Sequence, residues 1–84
     1  MKRIAAPRIP AWLARELPFE RYCLELEEHR LHVMEAGDPN GRPVLMLHGN
    51  PSWGFLWRKV ARELARDPLW LIMPDLLGLG LSDK

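Results

Sequence analysis

Val44-Leu45-Met46-Leu47-His48-Gly49-Asn50-Pro51-Ser52-Trp53 is the stretch on which the fold of this chain turns. Four consecutive apolar residues suit a strand covered on both faces, as a central strand of a parallel sheet is. His48-Gly49 ends the run. Gly49 permits a tight exit, and Pro51 fixes the backbone ahead of a helix. Residues 53–66 carry apolar side chains at Trp53, Leu56, Trp57, Val60, Ala61 and Leu64, while Arg58, Lys59, Arg62, Glu63 and Arg66 fall on the other side. That is the spacing of an amphipathic helix, and Ser52 stands where an N-cap belongs. A strand that turns directly into a helix start gathers backbone N–H groups around one small space. Such a place can hold a developing negative charge.

Working outward, Leu69 to Met73 is a second fully apolar run, ended by Pro74-Asp75. Strand, helix and strand at this spacing predict a βαβ unit with a right-handed crossover. On the other side, Tyr22, Leu24 and Leu26 alternate with Arg21, Cys23 and Glu25, as in a half-buried strand. After the polar break 27–30, residues 31–35 read as its antiparallel partner, although the turn lacks an Asn-Gly or Asp-Gly pair. Residues 36–42, with Gly37, Asp38, Pro39, Asn40 and Gly41, read as a loop. At the start, Pro7 and Pro10 predict an irregular lead-in over 1–11. One or two helical turns over 11–17 should point Trp12, Leu13 and Leu17 inward before Pro18 stops them. The organisation expected is an arm over residues 1–20 followed by the start of an α/β core over 21–84.

Composition narrows the function classes. A chain of 84 residues is one domain at most, and at this size only about 60% of the unfolded surface is buried. Yet 48% of the residues are apolar and four are Trp. Either the chain packs tightly as a miniature domain, or it is a piece of a larger core. A net charge of +1 gives no reason to expect nucleic acid or an anionic membrane as partner. Cys23 is the only cysteine, so no internal disulfide can form and a reducing compartment, the cytoplasm, is expected. No run approaches the ~18 apolar residues of a membrane span.

Several motifs fail on inspection. Gly78-x-Gly80 follows an apolar strand, but a dinucleotide fingerprint needs its third glycine at position 83, where Asp83 stands. No Gly-Lys-Ser/Thr follows either, so a Walker loop is excluded. His29 and His32 at i, i+3 would face opposite sides of a strand and cannot converge on a metal; both are expected as exposed surface histidines. Asp75 and Asp83 lie near a strand end, where catalytic groups of α/β proteins gather. Neither has a His close in sequence, so bracing of the Gly-rich turn through backbone N–H groups is the better reading. No metal or cofactor is expected.

Three segments, in the right order and spacing, resemble the amino-terminal part of an α/β-hydrolase of the haloalkane-dehalogenase-like branch. They are Leu17-Pro18-Phe19-Glu20-Arg21-Tyr22 with Met34-Glu35-Ala36-Gly37; Leu47-His48-Gly49-Asn50-Pro51-Ser52-Trp53 with Phe55-Leu56-Trp57-Arg58; and Met73-Pro74-Asp75-Leu76-Leu77-Gly78-Leu79-Gly80-Leu81-Ser82-Asp83-Lys84. The fold implied is an antiparallel hairpin followed by a βαβ unit. The resemblance implies that the backbone N–H of Asn50 is one of two oxyanion-hole donors. It implies that the Asn50 side-chain amide helps hold a departing halide, with Trp53 beside it, and that His48, Gly49 and Pro51 shape the loop. Epoxide hydrolases are similar over this region, and that likeness implies a cis Asn50–Pro51 bond. The implied mechanism is attack of an Asp on carbon, displacement of halide and hydrolysis of the alkyl-enzyme ester by a His-activated water. A group decarboxylating β-lactones in olefin biosynthesis shares the same wording, and a serine-type esterase is a further alternative. The nucleophile elbow, the catalytic His and its acid partner of this family are absent here. The expected partners are therefore a small-molecule substrate and the remainder of the hydrolase, in the same gene product or a complementary chain. A non-enzymatic fragment is the remaining alternative.

Overall fold

The computed structural model describes residues 2–49 and 53–84. Five strands form one mixed sheet: β1 (Lys2–Ala5), β2 (Glu20–Leu26), β3 (His29–Gly37), β4 (Arg42–Leu45) and β5 (Leu69–Pro74), in the order β1-β2-β3-β5-β4. The β4/β5 pair is parallel, with Val44 opposite Leu71, and the other pairings are antiparallel. Two helices, α1 (Ala11–Glu16) and α2 (Arg58–Leu64), complete the described residues, with a 3₁₀ turn over Gly54–Trp57 leading into α2.

The hairpin and the parallel unit form as the residue pattern predicts. Leu26 pairs with His29, so β2 and β3 are joined by a two-residue turn whose first residue, Glu27, sits at φ +48°. The short link lets β3 run on to Gly37, two residues beyond the expected strand.

Register assigns the two faces. His32, Met34 and Ala36 of β3 share one face with Cys23, Leu71 and Met73, because side chains alternate along each strand. That face carries the core, in which Leu13 and Leu17 from the α1 segment and Ala61 of α2 pack on Met34, Met46, Leu71 and Met73. Tyr22, Glu35, Trp70 and Leu45 belong to the opposite face.

Four expectations need correction. The start of the chain is not irregular: Lys2–Ala5 adds an edge strand to β2, with Arg3 opposite Leu24. Trp12 is not inward but 59% exposed, because a helix of under two turns can turn only Leu13 and the following Leu17 onto the sheet. The strand covered on both faces is β3, where His32 to Glu35 are all buried, and not the apolar run at 44–47, where Leu45 is 61% and Leu47 54% exposed. β4 is the sheet edge here, so only Val44 and Met46 reach the core. Finally, the helix expected over 53–66 splits into the 3₁₀ turn and α2, and Leu56 and Val60 of its apolar stripe face solvent. The N-cap expected at Ser52 lies outside the described residues.

Candidate active-site loop

Gly49 and the turn 76–81 follow the carboxyl ends of the two parallel strands, where open α/β sheets build their ligand sites. Two buried side chains tie these connections together. His48 accepts a hydrogen bond at Nε2 from the backbone N–H of Leu76 (2.9 Å), so its Nδ1 carries the proton and donates to the carbonyl of Gly49 (2.9 Å). Both ring nitrogens are occupied. His48 is a brace between the loop and the turn, with no free nitrogen to serve as a base.

Asp75 is the second brace and is fully buried. Oδ1 accepts from the backbone N–H of Gly54 (2.5 Å), at the head of the 3₁₀ turn. Oδ2 accepts from the backbone N–H of Leu81 (3.0 Å) and from Nδ1 of His32 (2.9 Å). Its carbonyl accepts from Ser82 Oγ (2.6 Å), whose oxygen in turn accepts from the backbone N–H of His32 (2.8 Å). Burial alone would push the Asp75 carboxyl up, but the bonds from His32, Leu81 and Gly54 outweigh it and hold it below the ordinary carboxylate range. Two glycines make room for this carboxylate. A Cβ on Gly54 would lie 2.9 Å from Oδ1, and one on Gly80 would lie 2.5 Å from Oδ2 and 2.7 Å from Trp53 Cβ. Gly80 also needs its φ of +56°, in the left-handed region.

The candidate site residues fall as follows. His48 and Gly49 are in the braced loop. Trp53 is half-buried at its far end, against the Gly80 turn, with its ring stacked on Phe55 (centroids 5.4 Å apart, planes at 14°). Asn50 and Pro51, and with them the peptide bond between them, lie outside the described residues. Asp75 braces the Gly-rich turn as expected, and Asp83 caps β3 by accepting from the backbone N–H of Arg30 (2.7 Å).

His32 is the residue that sequence reasoning missed. It is fully buried against Asp75, not exposed. The alternation of β3 with Cys23 and Met34 would have put it on the core face, but its partner stands 43 positions away. His29 is exposed. Cys23 is buried, and burial pushes its thiol up, leaving a protonated and weak nucleophile. Among the described residues, no group of three or more His, Cys, Asp or Glu could hold a metal ion, and no helix is long and apolar enough to cross a membrane.

A cleft of about 450 Å³ opens elsewhere, lined by Phe19, Glu35, Gly37, Arg62 and Trp70 among others. Gly37 and Trp70 pair at the amino-terminal end of β5, away from His48 and Asp75. Of its two carboxylates, Glu20 and Glu35, the buried one, Glu35, is already engaged by Trp70 Nε1 (2.7 Å), Arg3 Nη2 (2.9 Å) and the Tyr22 hydroxyl.

A strand-loop-helix and a strand-glycine turn, braced to each other by a buried His and a buried Asp, is an arrangement that similarity can now place. No protein-family model matches the chain. Over 68 residues it is 46% identical to a cis-3-alkyl-4-alkyloxetan-2-one decarboxylase of Shewanella oneidensis, across 81% of this chain and 20% of the relative. It is 40% identical over 67 residues to haloalkane dehalogenase 2 of Mycobacterium tuberculosis, across 80% of this chain and 22% of that one. The thioesterase domain from the curacin biosynthetic pathway superposes with a TM-score of 0.73 at 32% identity, over 77% of this chain and 23% of the domain.

The chain is α/β-hydrolase in fold.

What it carries is the amino-terminal portion of that fold, and it spans about a fifth of the length of the curated relatives it matches. Within this α/β-hydrolase portion His48 and Asp75 hold backbone in place. What the described residues offer is a pair of braced chain segments, His48–Gly49 and Gly54, on either side of positions 50–52.

Proposed function

We propose that this chain supplies the oxyanion-hole and halide-binding loop of an α/β-hydrolase that displaces a leaving group at carbon through an alkyl-enzyme ester. The observation that carries the proposal is the pair of braces on the described residues flanking positions 50–52. His48 ties Gly49 to Leu76, and Asp75 ties Gly54 to Leu81. In this proposal a donor between the two braces meets the developing charge at little reorganisation cost. In this role the Asn50 backbone N–H meets the oxyanion of the ester's tetrahedral intermediate. The Asn50 amide and Trp53 meet the departing halide; an amide NH₂ offers donors without adding charge.

The nucleophile, base and acid then come from the remainder of the hydrolase. Leu45, Leu47, Leu56, Val60, Leu76 and Leu77 support that part of the reading, since all are large, apolar and exposed along β4 and its exit, the 3₁₀ turn, α2 and the turn after β5. Such a surface calls for a covering layer. The substrate class is a small electrophilic molecule, and the lone thiol agrees with a cytoplasmic setting.

A second reading has its own support, the 46% identity to the oxetanone decarboxylase. There the same loop would hold the carboxylate oxygen that develops as a β-lactone ring opens. One pair of assays tests both. The intact protein is offered primary haloalkanes and a cis-dialkyl β-lactone, with halide and carbon dioxide measured in parallel. Halide release supports displacement, carbon dioxide with alkene supports decarboxylation, and neither product from any member of the two series counts against both.

A further inference from the structure

We propose that His32 is a positioning residue that links the N-terminal arm to the loops at the candidate site. Four groups form one unbroken hydrogen-bonded line beneath the helices. Arg21 Nη2 donates to the Pro7 carbonyl (3.1 Å), and Arg21 Nη1 lies 3.2 Å from His32 Nε2. His32 Nδ1 lies 2.9 Å from Asp75 Oδ2, and Asp75 holds the N–H groups of Gly54 and Leu81.

The direction of the line follows from chemistry. A guanidinium has donors only, so Nε2 must present its lone pair to Arg21. Nδ1 then carries the ring proton and donates to Asp75. The imidazole is thus fixed in one tautomer by a cation on one side and a carboxylate on the other, with the ring fully buried between them. The Asp75 carboxylate has no other side-chain partner among the described residues. The two amides it orders belong to different connections, one at the head of the 3₁₀ turn and one in the glycine turn. Rotating the imidazole would therefore move both connections together, and the arm would feel the change through Arg21.

A purely local role for His32, filling space under β2, would not reach Gly54, 22 positions away. Separate contacts offer an internal control. The Asp83 N–H bonds to the Arg30 carbonyl (3.0 Å) and the Arg30 N–H to Asp83. This pair holds the end of the glycine turn without passing through the imidazole.

The test is amide hydrogen exchange on the intact protein by NMR or fragment mass spectrometry. In His32→Leu, exchange at Gly54 and Leu81 rises on the order of tenfold, the scale of one lost hydrogen bond, while Asp83 and Arg30 keep their protection. His32→Asn retains a donor near the position of Nδ1 and restores Gly54 and Leu81, but leaves Arg21 without its acceptor, so exchange rises only in the arm. Unchanged Gly54 and Leu81 amides in a folded His32→Leu protein overturn the inference. If His32→Leu does not fold, the ¹⁵N signals of His32 in the parent decide. A proton on Nδ1 is required, and a proton on Nε2 alone overturns it. The consequence for turnover rests on the proposed hydrolase reading. There kcat falls in His32→Leu with KM unchanged and recovers in His32→Asn. Exchange reports on the linkage even if the protein turns over nothing, so failure of one reading is separable from failure of the other.

Discussion

Two buried carboxylates sit on opposite faces of one sheet and use their oxygens differently. Asp75, on the helix-covered side, spends its bonds on backbone N–H groups of two loops and on one buried imidazole. Glu35, on the side away from the helices, is met by side chains: Arg3 of β1, Tyr22 of β2 and Trp70 of β5. The first fixes where main chain runs. The second fastens neighbouring strands to one another through groups that can swing. A carboxylate that orders loops shapes a site, and one that gathers side chains stiffens a sheet.

The contrast can be broken most severely at Asp75. Asp75→Ala strands His32 together with the buried Gly54 amide and the part-buried Leu81 amide, and loss of a partner from a buried charged network costs about 3–5 kcal/mol. Chemical denaturation of the intact protein measures it, and a loss below about 1 kcal/mol would mean the network relaxes without cost. At Glu35 the expected loss is smaller. Glu35→Gln keeps an acceptor for Trp70 or Tyr22 and removes the charge facing Arg3, for about 1–2 kcal/mol by the same measurement. A loss at Glu35→Gln as large as that at Asp75→Ala would erase the distinction. The Arg3 guanidinium, half-exposed over the Tyr22 ring at 3.7 Å, should matter least, with Arg3→Ala changing stability little.

Acid sharpens the same comparison. The Asp75 carboxyl is depressed in the folded protein, so its contribution to stability is complete above its unfolded value near pH 4 and drains away as pH falls through the folded value. Stability followed by denaturation from pH 6 downward should drop below about pH 4, and Asp75→Asn should flatten that drop. An identical acid limb in parent and variant would show that Asp75 is not the group responsible.

Much of this was legible in the residues. The period-two pattern over 21–26, the unbroken apolar runs at 44–47 and 69–73 and the glycine exits gave the hairpin and the parallel pair, and with them the meeting of the two connections. What escaped depended on distant partners. β3 reads as half polar, so nothing local marks it as the strand buried on both faces; His32 and Glu35 are admitted there only because Asp75 and Arg3, 43 and 32 positions away, satisfy them. The run at 44–47 looked central because its residues are apolar, but burial is decided by neighbours, and in this chain β4 has β5 on one side only. Trp12 reads as inward-facing for the same reason and is exposed. The core-facing side of the candidate site was readable, then, while the polar node beneath it was not.

The central claim is that the loop between β4 and the 3₁₀ turn meets an anion as charge develops, with Asn50 as its donor. The most direct measurement is the steady-state turnover of Asn50→Ala in the intact protein on whichever substrate yields product, with KM determined alongside. Loss of an oriented oxyanion or halide donor predicts a fall in kcat on the order of a hundredfold or more, with KM little changed. An unaltered kcat would contradict the claim and remove this loop from the chemistry.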